Sequence, residues 1–255
     1  MFSLMLSSLI FFPEKNYYDS PKNYGLSEEE AFFNTQDGIT LSGWYFPVAE
    51  SKATLLFFHG NAGNMSGRLI KAKGWTDKGI SVFLMDYRGY GKSSGKIEKA
   101  KDLVEDARSA LQWLESEKKI FAEKVILYGE SIGSYPAIEL AREKKFAGLV
   151  LEAPLTNLMD LAKRHYSWVP EFVLKDFQMK NDEAIEKVKA PVFVLHGNQD
   201  EICPVEMGER LYYLAPAPKE FYAVQGGGHN DLPEVAGASY FENPYQFLAK
   251  ENSFR

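Results

Sequence analysis

Cysteine is almost absent from the sequence. The single one, Cys203, excludes an intramolecular disulfide and a cysteine-rich zinc site. Histidine is scarce as well, with only His59, His165, His196 and His229 available as a base or a ligand. No basic stripe is present. The net charge is −6 with both signs mixed along the chain, so no nucleic-acid partner is expected. No internal repeat, low-complexity tract or clear linker divides the chain, which points to one domain over residues 1–255. Nor does any apolar run reach the roughly 20 residues a spanning helix requires. The N-terminal MFSLMLSSLIFF is uncharged but too short, and it lacks the basic start and cleavage site of a signal peptide. A packed N-terminal segment is the expectation, and peripheral contact with a membrane surface is the alternative. Cytoplasmic and membrane-associated placement both stay open.

Against these absences stands a hydrophobic content of 45%, enough to bury a substantial core. Strands are predicted at 31–36, 40–47, 54–58, 81–87, 124–128, 148–151, 192–195 and 220–224. The first two alternate and meet at Asp37-Gly38, a hairpin signal. The later ones are short continuous apolar runs, as in parallel strands buried on both faces. Helices are predicted at 66–78, 98–117, 135–144, 205–214 and 243–250. This alternation predicts an α/β layer architecture with helices on both faces of a mostly parallel sheet. Residues 155–189 break the rhythm. A connection that long and that apolar reads as a small helical cap over a pocket, with Trp168 and Phe172 offering apolar surface to a substrate.

The stretch Gly129-Glu130-Ser131-Ile132-Gly133 lies between an apolar strand candidate and a helix candidate. Small residues two positions either side of a serine suit a sharp, crowded strand-to-helix turn, which makes Ser131 the candidate nucleophile. A serine hydroxyl needs a base, and the base needs an orienting acid. His229 follows the last strand candidate in Gly226-Gly227-Gly228-His229 and is the candidate base. His59 and His196 end strand candidates in His-Gly pairs, where a local turn contact is the simpler role. His165 falls in the cap. Two acids follow strand candidates. Asp200 ends the turn-rich His196-Gly197-Asn198-Gln199-Asp200 and is preferred, while Glu152, before Ala153-Pro154, is its rival. For an oxyanion, the backbone N–H of Ile132 and a donor at Asn61, in His59-Gly60-Asn61-Ala62-Gly63, are expected.

Two other motifs carry less. Asp86-Tyr87-Arg88-Gly89-Tyr90-Gly91-Lys92-Ser93 ends like a phosphate loop, but Asp86 stands where the first glycine is needed. Cys203 reads as a packed thiol. No cofactor and no metal are expected.

These pieces together resemble the α/β-hydrolase superfamily. The run from Ala153 to Tyr166 is similar to a narrower short-capped group of serine hydrolases that includes protein depalmitoylases and bacterial esterases. The resemblance implies an eight-stranded, mostly parallel sheet, a triad of Ser131, Asp200 and His229, and cleavage of carboxylic esters or thioesters. A peptidase, amidase or lipase on the same triad, or a binding protein without turnover, are the alternatives. The chain lacks the cysteine-rich tail that directs eukaryotic depalmitoylases to membranes.

Overall fold

The computed structural model describes Ser7, residues 10–165 and residues 171–252. Trp168 lies outside the described residues. The sheet has eight strands: β1 Glu29–Asn34, β2 Thr40–Phe46, β3 Thr54–Phe58, β4 Ser81–Asp86, β5 Val125–Glu130, β6 Gly148–Glu152, β7 Val192–Gly197 and β8 Lys219–Val224. Their spatial order is β1-β2-β4-β3-β5-β6-β7-β8. The pairs β1/β2 and β2/β4 are antiparallel, and every other pair is parallel. The hairpin between β1 and β2 closes through Gly38 N–H to the Thr35 carbonyl, with Gly38 at φ 82°. The fold class expected from the alternation is therefore the one observed.

Two helical layers cover the sheet because its side chains alternate. In β3, Leu56 and Phe58 point to one layer, and Leu55 and Phe57 to the other. The first layer holds α2 Ala100–Glu117, α3 Ser134–Glu143, α5 Asn181–Ile185 and α6 Val205–Leu214. The second holds α1 Leu69–Asp77, α7 Leu232–Ala236 and α8 Ala238–Asn252. Helix α2 shows how pattern becomes packing. Leu103, Ala107, Leu111 and Leu114 fall on one face and are buried, each fully buried leucine contributing about 1.5–3 kcal/mol. The Asp102 carboxylate accepts the N–H groups of Glu98 and Lys99, which satisfies donors at the helix start.

Residues 155–189 hold α4 Leu158–His165, a 3₁₀ segment Glu171–Phe177 and α5. Phe172 belongs to that 3₁₀ segment. The segment is fastened at its ends: Asn181 Nδ2 donates to Ser134 Oγ at 3.0 Å and to the Leu155 carbonyl at 2.9 Å. Within it, Phe177 and Met179 are fully buried.

The N-terminal segment lies along the loop after β3. Phe12–Pro13 pairs in parallel with Ala62–Gly63. Phe11 is buried against Phe177, with ring centroids 5.8 Å apart. Among the described residues no helix is long and apolar enough to cross a membrane.

Candidate active site

The parallel strands β3 to β8 all end at one edge of the sheet, and the loops there carry the candidate residues. Ser131 follows β5 directly. Its φ is +54°, a left-handed conformation that strains a residue with a Cβ. The two flanking glycines make the turn sterically feasible. A Cβ on Gly133 would lie 2.1 Å from the Phe58 carbonyl oxygen, and one on Gly129 would lie 2.7 Å from the Gly133 carbonyl oxygen. The serine is thereby lifted out of the strand line at the mouth of α3.

The loops after β7 and β8 are laced together. Gln199 N–H donates to the Gly227 carbonyl at 2.9 Å, and Asn198 N–H to the Val224 carbonyl at 3.1 Å. Gly197 allows this approach, since a Cβ there would sit 2.3 Å from the Gly227 carbonyl oxygen. The lacing brings Asp200 to His229. Asp200 Oδ2 lies 2.7 Å from His229 Nδ1, and His229 Nε2 lies 3.0 Å from Ser131 Oγ. A carboxylate only accepts, so Nδ1 carries the proton and Nε2 is left to accept from the serine hydroxyl.

Asp200 is held by more than its partner base. Its Oδ1 accepts the N–H groups of Ile202 and Cys203 at 2.9 and 2.8 Å. Its Oδ2 also faces His196 Nε2 at 3.1 Å. His196 Nε2 lies 2.8 Å from the Cys203 carbonyl as well, so this nitrogen is the protonated one. Burial opposes the charge on Asp200, but hydrogen bonds from His196 and His229 outweigh it and hold the carboxyl well below the usual range. His196 thus does more than the local turn contact expected of it, because it donates to the same Asp200 oxygen as His229 and buttresses the acid. His59 keeps to the expected role, with Nδ1 donating to the Gly60 carbonyl at 2.7 Å.

Glu152 is not beside His229. Its carboxylate is taken by Lys71 Nζ at 2.9 Å, and by the hydroxyls of Tyr128 and Tyr240, each at 2.7 Å. Ala153, at φ +44°, turns the chain away behind it. Lys71 also donates to Glu130 at 2.7 Å, and Arg68 to the same carboxylate at 2.6 Å. This buried cluster under the serine escapes sequence reasoning. Its only signals are the charged Glu130 and Glu152 at the ends of otherwise apolar strands.

Cys203 is fully buried. Burial, then the Asp200 charge, push its thiol up to about 12, so it stays protonated at neutral pH. The Asn61 backbone N–H has no acceptor among the described residues. Asn61 Nδ2, by contrast, donates to the Ile10 carbonyl at 2.6 Å. Among the described residues no cluster of side chains could hold a metal ion.

The sequence matches the family model described as serine aminopeptidase, S33, over residues 49–184. The chain belongs to this α/β-hydrolase family. An uncharacterised protein of Mycobacterium tuberculosis is 38% identical over 95% of this chain and 86% of its own length. Protein bem46 of Schizosaccharomyces pombe is 32% identical over 91% of this chain and 80% of its own length. Among solved structures, the esterase Pf2001 of Pyrococcus furiosus superposes with a TM-score of 0.77. It covers 94% of this chain and 98% of its own at 21% identity, a likeness of fold.

Proposed function

We propose that this hydrolase cleaves carboxylic esters or thioesters through an acyl-enzyme on Ser131. The observation that carries the reading is the unbroken hydrogen-bonded line from Ser131 Oγ through His229 to Asp200, set at the tip of a strained turn. In the first half-reaction, His229 Nε2 takes the Ser131 proton as the oxygen attacks the acyl carbonyl. Asp200, charged throughout the neutral range, stabilises the imidazolium and fixes its tautomer. The Ile132 and Asn61 N–H groups receive the developing oxyanion; losing one such donor typically costs about 10²–10³ in turnover. His229 then protonates the departing alkoxide or thiolate. Water repeats the sequence, and the acid is released with Ser131 restored.

Membership of a hydrolase family implies a small-molecule substrate, and the cap is the segment proposed to set acyl preference, through Trp168 and Phe172. Peripheral membrane contact through the N-terminus is supported by its uncharged sequence and by Phe12, which is more than half exposed. The aminopeptidase description of the matching family model favours amides as a second reading. Parallel assays on ester, thioester and amide substrates of one acyl group separate the two.

The central test is Ser131→Ala. Esterase turnover is expected to fall to the residual level that binding and the oxyanion donors alone supply, about 10³–10⁴ over water. A fluorophosphonate probe should label the parent chain at Ser131 and leave the variant unlabelled. A folded variant with turnover near that of the parent would sink the assignment.

A further inference from the structure

The loop after β3 is held at nearly every polar group it owns. The Tyr87 hydroxyl donates to the His59 carbonyl at 3.1 Å, and His59 Nδ1 to the Gly60 carbonyl. Gly60 N–H donates to Glu130 Oε1 at 3.2 Å. The Tyr90 hydroxyl donates to the Asn61 carbonyl at 2.7 Å. The Asn61 side chain is tied to the Ile10 carbonyl of the N-terminal segment. Of the two backbone N–H groups of Gly60 and Asn61, only that of Asn61 is left without an acceptor among the described residues. The loop also abuts the nucleophile turn, since a Cβ on Gly133 would lie 2.9 Å from the His59 carbonyl oxygen.

We propose that Tyr90, Glu130 and the N-terminal segment are positioning elements that lock this loop so that the Asn61 N–H stands ready for the acyl oxygen. The inference rests on the acyl-enzyme reading and deepens it. A donor fixed before the reaction needs no reorganisation when charge develops, which is where such a donor gains its effect. Each anchor has a separate origin. Tyr90 comes from the loop after β4, with its ring packed 5.1 Å from that of His59. Glu130 immediately precedes the nucleophile, so the strand that presents Ser131 also presents the acceptor for Gly60. Arg68 and Lys71 keep that acceptor charged in its buried site.

The N-terminal segment is fastened along the whole loop. Beyond its ladder with Ala62–Gly63, Glu14 N–H donates to the Gly63 carbonyl at 3.0 Å. Asn64 Nδ2 donates to the carbonyls of Glu14 and Asn16 at 3.1 and 2.8 Å. Phe11, in the same segment, packs on Phe177, the last residue of the 3₁₀ part of the cap. Residues whose sequence suggests packing or membrane contact thereby become part of the catalytic geometry.

Tyr90→Phe in the full chain removes one hydroxyl and keeps the ring. The expected result is a fall in kcat of about tenfold, in line with the loss of one hydrogen bond, with KM for a short ester little changed. The second readout is inhibition by a trifluoromethyl ketone of the same acyl group, whose serine adduct carries the oxyanion. Its Ki should rise by the same factor as kcat/KM falls, a match that loss of fold stability alone does not produce. Unchanged kcat and Ki overturn the proposal, and so does a fall in kcat with unchanged Ki. If Tyr90→Phe does not fold, Asn61→Ala is read in the same two assays. It cuts the tether to Ile10 and keeps the backbone N–H, and unchanged values there overturn the proposal equally. Absence of fluorophosphonate labelling at Ser131 in the parent chain would instead defeat the acyl-enzyme reading itself.

Discussion

At the scale of single residues, the site is legible in the sequence wherever chain order and local turn chemistry identify it. Gly129 and Gly133 around Ser131, and three glycines before His229, are local signals. Glu152 stays a rival to Asp200 there, because both acids follow strand candidates. The structure separates them through tertiary partners invisible in the pattern: Lys71, Tyr128 and Tyr240 surround Glu152, while two histidines and two backbone N–H groups converge on Asp200. Replacement by an amide therefore has different consequences at the two positions. An asparagine at 200 offers one acceptor oxygen to two sets of donors, so its NH₂ must face N–H groups on one side. Asp200→Asn is expected to lower kcat by at least roughly 10²-fold, a conservative bound beside the roughly 10⁴ of the serine-protease template. It should also lower stability by about 1–3 kcal/mol for the stranded buried donors. Glu152→Gln should lose less than about tenfold in kcat. Steady-state kinetics on both variants, with melting curves beside them, check the pair; a dead Glu152→Gln and an active Asp200→Asn would move the acid to β6.

At the scale of elements, the strands follow from apolar runs and turns, and β3 and α6 have the bounds their patterns predict. Helix α8 does not. Pro244 suggests a start at Asn243, since proline suits a first turn. The helix instead begins at Ala238 and runs through the proline, because Tyr240, Phe247 and Leu248 lie on one face and are buried against the sheet. Packing outweighs the lost backbone hydrogen bond. Helix α7 leaves no mark in the pattern either: five residues are too few for a periodic signal, and Leu232 anchors it from within the core. The strand-to-helix joint at Ser131 is the element boundary with the least freedom. Gly133→Ala would set a methyl 2.1 Å from the Phe58 carbonyl, which belongs to β3 and cannot rotate away. Gly226 has φ +78°, but a Cβ there would meet no atom within 4 Å, so Gly226→Ala tests conformational strain alone. Urea unfolding should show Gly133→Ala losing about 1–3 kcal/mol or more, with activity falling alongside. Gly226→Ala should lose roughly 1 kcal/mol and keep its turnover. Equal losses would mean that crowding at the turn is relieved elsewhere.

At the scale of the whole molecule, the buried ion cluster beneath the nucleophile ties the sheet, α1 and α8 to the site. It includes Glu130, Arg68, Lys71 and Glu152, and reaches Tyr240 through Glu152. Burial alone would raise the Glu130 pKa, but Arg68 and then Lys71 more than offset it and hold the carboxyl well below its ordinary value. The direction fixes the pH dependence. A group depressed in the folded state contributes stability above its unfolded pKa, about 4.3 for glutamate, and loses it as pH falls toward the folded value. Between those limits the unfolded chain binds one more proton than the folded chain. The slope from this one group approaches about 1.4 kcal/mol per pH unit. Glu130→Gln removes that titration while keeping the side-chain shape and an acceptor for Gly60 N–H. The variant is expected to be less stable than the parent by a constant amount above about pH 5, because the folded and unfolded parent are then both deprotonated at this position. Below about pH 4.3 the gap should narrow, with the parent losing stability faster. Unfolding free energies from pH 7 down to pH 3 check this. A gap that stays constant to pH 3 would mean that Glu130 releases its proton equally in both states, and that the two cations do not hold its charge.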